Sequence, residues 1–233
     1  MMAAAREHWQ AVHAGKAPTQ TSWHRERLDA SLRLIAAYAP DRAAPAIDVG
    51  GGRSTLVDDL LADGFADVTV LDVSGDALAQ ARARLLQKGL AASPATTARD
   101  ALARDAVHFV ETDILDAQLP PAHFALWHDR AVFHFLVDAS EQAAYVALAA
   151  RSLRPGGVAI VATFAADGPA RCSGLPVARY DADALAARFG DAFACIGTER
   201  DLHKTPAGTT QPFTYVALRR LAPNPSRAAH AEH

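Results

Sequence analysis

Two short apolar runs, each ending beside an aspartate, hold the residues best placed for chemistry. Ala46-Ile47-Asp48-Val49 leads into Gly50-Gly51-Gly52-Arg53-Ser54, and Val68-Thr69-Val70-Leu71 ends in Asp72. The stretch between them has helical periodicity, so the whole reads as strand, glycine turn, helix, strand and acid, one βαβ unit. Glycines at the first turn let backbone approach a ligand closely. A carboxylate closing the second strand accepts two hydrogen bonds from a ribose diol. That geometry suits NAD, FAD or S-adenosylmethionine.

The glycine pattern separates these cofactors. A dinucleotide fingerprint, Gly-x-Gly-x-x-Gly, ends in a glycine that allows close helix packing, and Thr55 stands at that position. Asp48 precedes the glycines, where its charge repels a pyrophosphate but stabilises the ammonium of a methionine moiety. The acid therefore favours S-adenosylmethionine.

These residues need a framework of alternating strands and helices, and the rest of the chain supplies one. Leu28, Leu32, Leu34, Ile35 and Tyr38 predict a leading helix over residues 26–38, stopped before Pro40. A helix over 76–90 follows the second strand, and Val107 to Asp113 predicts a third strand closed by an acid. Phe124 to Trp127 is the fourth strand. A helix over 140–153 breaks at Arg154-Pro155-Gly156-Gly157 before the fifth, Val158 to Phe164. A short helix over 183–189 precedes two last strands, 193–198 and 211–218, suited to antiparallel pairing. The sum is a Rossmann-like, doubly wound α/β fold: a seven-stranded, mainly parallel sheet with helices on both faces. Ligands bind beyond the carboxyl ends of such strands, where Asp48, Asp72, Asp113 and Asp129 map. Residues 91–105 give no element and are read as an insertion or loop, and 223–233 as a flexible tail.

Composition excludes several classes. With 233 residues, half of them hydrophobic, the chain buries a substantial core as one domain. A net charge of −3 without a long basic run lacks the footprint of a nucleic-acid binder. Two cysteines, Cys172 and Cys195, are too few for a secreted disulfide framework and fit a reducing cytoplasm. No apolar stretch approaches a membrane span. Ten histidines invite a metal site, but none pairs with a carboxylate at zinc-helix spacing, so no metal is expected. Nothing in the residues speaks to oligomeric state.

The Asp-x-Gly-x-Gly run at Asp48 resembles motif I of the class I methyltransferases, a likeness extending over about residues 45–220. The resemblance implies S-adenosylmethionine as cofactor, with Asp72 on its ribose, Asp113 on the adenine amino group and Ile114 on the purine face. Ser54 departs from the family, which often has a further glycine there. Leu153-Arg154-Pro155-Gly156-Gly157 is similar to the family's turn before the fifth strand. The segment Trp127-His128-Asp129-Arg130-Ala131 is similar to one in the thiopurine, thiol and halide methyltransferases, apart from the inserted or substituted His128. The Trp-rich segment through Trp9 and Trp23 resembles their cofactor cover, making residues 1–40 a helical cap over a domain spanning 41–222.

On this resemblance the cofactor set is Asp48, Gly50, Gly51, Gly52, Asp72, Val73, Asp113, Ile114, His128 and Trp23. Arg130, His128 and Asp129 are the catalytic candidates. Arg130 would lower a thiol pKa, since the thiolate is the reactive species, and His128 or His134 would take a proton from an amine or hydroxyl. Blander roles compete. Asp129 and Arg130 also read as an ion pair, His134 and Cys195 as core, Cys172 as an exposed loop residue, and Trp9 and Trp23 as anchors of the leading helix. The leading function is methyl transfer to a small-molecule nucleophile, with a thiol or similar soft acceptor the narrower version. A protein-lysine methyltransferase is the alternative, followed by a nicotinamide-dependent oxidoreductase or a cofactor-binding module without turnover.

Overall fold

A computed structural model describes residues 7–12, 15, 20–39, 41–90 and 106–222. The loop expected at 91–105 and the tail expected at 223–233 lie outside the described residues, as does much of the N-terminal segment. Five helices are labelled in chain order: α1 (Asp29–Tyr38), α2 (Leu56–Ala62), α3 (Gly75–Gln87), α4 (Ala139–Ser152) and α5 (Ala182–Arg188). The strands are β1 (Ala46–Val49), β2 (Val68–Asp72), β3 (Val107–Glu111), β4 (Phe124–Arg130), β5 (Leu153–Phe164), β6 (Arg171–Cys172), β7 (Leu175–Pro176), β8 (Phe193–Lys204) and β9 (Thr210–Arg220).

Seven strands form one sheet in the order β3-β2-β1-β4-β5-β9-β8, and β6 and β7 make a separate two-stranded ribbon. Within the seven-stranded sheet only β9 runs against its neighbours, the other pairings being parallel, and the β6–β7 ribbon is antiparallel. β1 and β2 are buried along their whole length, as parallel strands covered on both faces must be. Side chains alternate between two cores. One joins Leu34 and Ile35 of α1 with Leu56 of α2, Leu78 of α3, Val70 and Phe213. The other joins Tyr145 of α4 and Leu185 of α5 with Ile47, Trp127 and Phe133. α1, part of the expected cap, packs into the first core through Ala30, Leu34 and Ile35, joined by Ala39 just after it.

Element boundaries shift where local chemistry overrides pattern. The third strand stops at Glu111 rather than Asp113, because Asp113 caps a 3₁₀ turn (Ile114–Asp116) by accepting from the Leu115 N–H at 3.0 Å. β4 runs on through His128, Asp129 and Arg130, polar residues that still pair with β1 or β5. β5 begins at Leu153, expected as the last residue of the preceding helix, by pairing with Phe124 before a register shift. Ser74 starts α3 by accepting from the Ala77 N–H.

Candidate active site

The strand order reverses between β1 and β4, the topological switch point at which open α/β sheets bind ligands. Asp48 and His128 face each other there in register. His128 Nδ1 lies 2.7 Å from Asp48 Oδ1, and its Nε2 lies 2.9 Å from Ser31 Oγ on α1. All three residues are buried. One ring nitrogen is thus engaged by the carboxylate and the other by the serine hydroxyl. His128 therefore has no nitrogen left to act as a base. The other Asp48 oxygen, Oδ2, is buried without a hydrogen-bond partner.

Alternation along β4 divides the candidate segment between the two faces. His128 and Arg130 point toward α1, whereas Trp127 and Asp129 point toward α4. Asp129 is wholly buried and accepts from the Val132 N–H at 2.8 Å, the Phe133 N–H at 3.0 Å and the Tyr145 hydroxyl at 2.5 Å. Trp127 Nε1 in turn donates to Tyr145 Oη at 2.8 Å. Burial pushes the Asp129 carboxyl up to about 6 in spite of these donors. Asp129, expected among the catalytic residues, has both oxygens engaged by the turn after β4 and by Tyr145, and it forms no ion pair with Arg130. That turn begins at Ala131, a non-glycine residue at φ 75°, and brings Val132 against the glycine loop. A Cβ on Gly50 would meet Val132 Cγ2 at 2.1 Å.

The remaining glycines make a close cradle. A Cβ on Gly51 would meet both Asp48 Oδ2 and Val70 Cγ1 at 2.6 Å, and one on Gly52, at φ 41°, would meet Asp72 Oδ2 at 2.8 Å. Asp72 sits at the end of β2 and accepts from the Ser74 N–H at 2.8 Å. Burial, helped by the Asp48 charge, pushes its carboxyl up to about 6. Asp113 and the buried Ile114 stand beyond the neighbouring β3. Arg84 of α3 secures the loop from behind, donating to the Arg53 and Ser54 carbonyls at 3.0 and 2.6 Å while pairing with Asp58 at 2.7 Å. Ser54 accepts from the Leu56 N–H at 3.1 Å, a helix entry that a glycine there could not make.

Beyond this cradle, Arg130 reaches across the sheet. Its Nε donates to Tyr215 Oη at 3.1 Å and its Nη1 to the Trp23 carbonyl at 3.2 Å, with the guanidinium 4.3 Å from the Phe213 ring centroid. Nη2 is buried without a partner. His134 is also fully buried, packed against Phe135 and Phe164, yet neither ring nitrogen has a hydrogen-bond partner. This differs from the satisfied core histidine expected from sequence. Burial and the nearby Arg130 charge push its pKa down to about 3. The cysteines exchange their expected places. Cys172 is buried, its thiol pKa pushed up by burial, whereas Cys195 is exposed on the edge strand β8.

A methyltransferase domain family matches residues 47–161, from the β1 acid through β5. The chain is an S-adenosylmethionine-dependent methyltransferase. No curated protein matches the methyltransferase by sequence. Solved structures share its fold. One, from work on the conversion of a disulfide bond into a thioacetal group during echinomycin biosynthesis, has a TM-score of 0.73 at 20% identity, covering 98% of each chain. The Burkholderia thailandensis 1,6-didemethyltoxoflavin-N1-methyltransferase, with 1,6-didemethyltoxoflavin and S-adenosylhomocysteine bound, has a TM-score of 0.65 at 19% identity over 94% of this chain and 85% of that one. The N-methyltransferase NodS from Bradyrhizobium japonicum WM9, in complex with S-adenosylhomocysteine, has a TM-score of 0.58 at 16% identity over 82% and 86%. The methyltransferase's own residues fit its cofactor: glycines let the loop pack directly on Val132, Asp48 and Asp72, and the buried Asp48 Oδ2 has no hydrogen-bond partner.

Sequence reasoning missed Ser31, His134's unpartnered nitrogens, and the Tyr215 and Phe213 supports of Arg130. Ser31 did carry a signal, as a polar residue among the apolar positions of α1. Among the described residues, no group of three or more His, Cys, Asp or Glu side chains is placed to hold a metal ion, and no helix is long and apolar enough to cross a membrane.

Proposed function

We propose that the methyltransferase acts on a small-molecule nucleophile, with a thiol or similar soft atom as the narrower reading of the acceptor. The observation carrying the small-acceptor reading is the contact between the N-terminal segment and the end of β4. The Trp23 carbonyl holds Arg130, and Trp9 lies 5.1 Å from the Phe135 ring. Chain folded over this end works against binding of an extended protein segment. The fold-level likeness to the disulfide-to-thioacetal system supports a soft acceptor, and the likeness to two N-methyltransferases keeps nitrogen in contention.

When bound, S-adenosylmethionine supplies an activated methyl group on a positive sulfonium. In this proposal Asp72 accepts the ribose hydroxyls beside the Val73 backbone, and Asp113 accepts the adenine amino group over Ile114. Asp48 Oδ2 meets the methionine ammonium, with His128 fixing the carboxylate from its other side. Gly50, Gly51 and Gly52 give the close approach, and Trp23 covers the site. Arg130 faces the acceptor. The protein's task is to align the reacting atoms and exclude water.

Calorimetry with S-adenosylmethionine, S-adenosylhomocysteine and NAD, followed by assay of S-adenosylhomocysteine release with thiols, halides, amines and lysine peptides, tests this reading. Binding of the sulfur nucleosides with turnover on small acceptors supports it. Turnover on lysine peptides alone would transfer the assignment to proteins.

A further inference from the structure

The side chains around Arg130 bear on the charge of the acceptor, an inference that rests on the proposed methyl transfer at this site. Register places Arg130, Ala162 and Tyr215 in one row across β4, β5 and β9, with Phe164 and Phe213 paired two positions further along β5. The small Ala162 lets the guanidinium cross to β9. There three restraints fix it: Tyr215 Oη, the Trp23 carbonyl and the Phe213 face. Arginine stays charged under all ordinary conditions. Among the described residues no carboxylate forms an ion pair with it: Asp129 faces the opposite side of the sheet, and Asp201 is held by Arg25 at 2.7 Å. The buried and unpartnered Nη2 is thus a fixed, uncompensated donor. His134 lies on the same side, with two unpartnered nitrogens amid Phe135 and Phe164.

We infer that the acceptor binds as an anion on a flat, largely apolar body, its charge paired with Arg130 Nη2 and its polar edge hydrogen-bonded by His134. The transfer then balances without a proton. A lone pair on the anionic atom forms the bond to the methyl carbon, the carbon–sulfur bond breaks, and its electrons stay on sulfur. Sulfonium and anion are both discharged, leaving a thioether and a neutral methylated acceptor. No general base is required, in keeping with a His128 whose nitrogens are committed and a His134 whose pKa lies far below neutrality, where proton abstraction is poorly driven. The neutral product loses its attraction to Arg130, which favours release.

The test uses the full chain saturated with S-adenosylhomocysteine and titrated by calorimetry with benzoate, benzamide and benzylammonium, probes of one shape and three charges. Benzoate is expected to bind at least about tenfold more tightly than benzamide, with benzylammonium weakest, since charge-assisted hydrogen bonds exceed neutral ones. Arg130→Gln should abolish that order, Arg130→Lys should keep part of it, and His134→Phe should weaken benzoate while preserving the ring. The inference is overturned if benzoate does not bind the loaded protein, if benzamide or benzylammonium matches it, or if the preference survives in folded Arg130→Gln. Failure of S-adenosylhomocysteine itself to bind would instead remove the methyl-transfer reading beneath it.

Discussion

Replacing Asp72 by asparagine is expected to make the cofactor-free protein more stable at neutral pH while disabling its cofactor site. The folded protein raises the Asp72 carboxyl from 3.8 to about 6, chiefly by burial. Going from 3.8 to about 6 corresponds to about 3 kcal/mol. Between those values the folded chain holds a proton that the unfolded chain has released, so this residue's contribution to stability falls as pH rises through the window. Asparagine does not titrate. Relative to wild type, the variant should therefore gain about 3 kcal/mol between pH 4 and pH 7. Part of that gain is offset, because the Gly52, Val73 and Ser74 amides all interact with the carboxylate and a single amide oxygen cannot serve three donors. One weakened donor costs about 1–2 kcal/mol, leaving a net gain of about 1–2 kcal/mol at pH 7. Ribose hydroxyls meanwhile lose a charged acceptor, which should lower S-adenosylmethionine affinity by about tenfold or more. Urea unfolding at pH 5, 6 and 7.5, with calorimetry on the same samples, reads both quantities. A stability difference that does not change with pH, or unchanged cofactor affinity, would refute the reasoning.

Three further substitutions probe the surrounding structure. Gly51→Ala should lower stability and weaken cofactor binding together, since its Cβ would lie 2.6 Å from both the buried Val70 Cγ1 and Asp48 Oδ2; denaturant unfolding with calorimetry on the folded fraction checks this. Tyr145→Phe should cost about 2–4 kcal/mol in denaturant unfolding, as it strips Asp129 of a donor and leaves the buried Trp127 N–H without its acceptor. Losing that donor should also raise the Asp129 carboxyl above about 6, so the variant's deficit grows as pH rises past that point. Ser31→Ala should destabilise by about 1–2 kcal/mol, the unsatisfied His128 nitrogen outweighing alanine's better helix propensity. It should also weaken cofactor binding, and unchanged affinity would detach Ser31 from the Asp48 site.

Much of the framework was legible because its determinants are local. The glycine turn after Asp48, the apolar β1 and β2, and the spacing of helices and strands specify the parallel half of the sheet from sequence alone. The site beyond the cradle was less legible because its geometry depends on parity and on contacts far apart in sequence. Trp127-His128-Asp129-Arg130 reads as one polar segment, and only the pleat assigns Asp129 to the α4 side and Arg130 to the α1 side. The cysteines were misplaced for a similar reason. Cys195 lies in a strand, but that strand is the sheet edge and shifts register between Cys195 and Gly197. Asp113 was mistaken for a strand residue because an acid closing an apolar run has the same pattern whether it ends the ladder or caps the turn after it.

Asp48 is the residue that joins these parts. Its Oδ1 belongs to the protein, through His128 to Ser31 on α1, while its Oδ2 remains unpartnered beneath Gly51. A carboxylate with two unpartnered oxygens could turn toward the glycines, whereas one oxygen held at 2.7 Å fixes the direction of the other. That preorientation has a thermodynamic consequence. The group that orients Asp48 is itself anchored by α1, so the free energy of docking α1 and that of binding a cation at Oδ2 are linked, each favouring the other by the same amount. The N-terminal segment holds the opposite end as well, through the Trp23 carbonyl on Arg130. Residues before β1 thus brace both the anion proposed to meet the cofactor and the cation proposed to meet the acceptor. Opposite charges held apart on a buried framework align two oppositely charged reactants without reorganisation during the transfer.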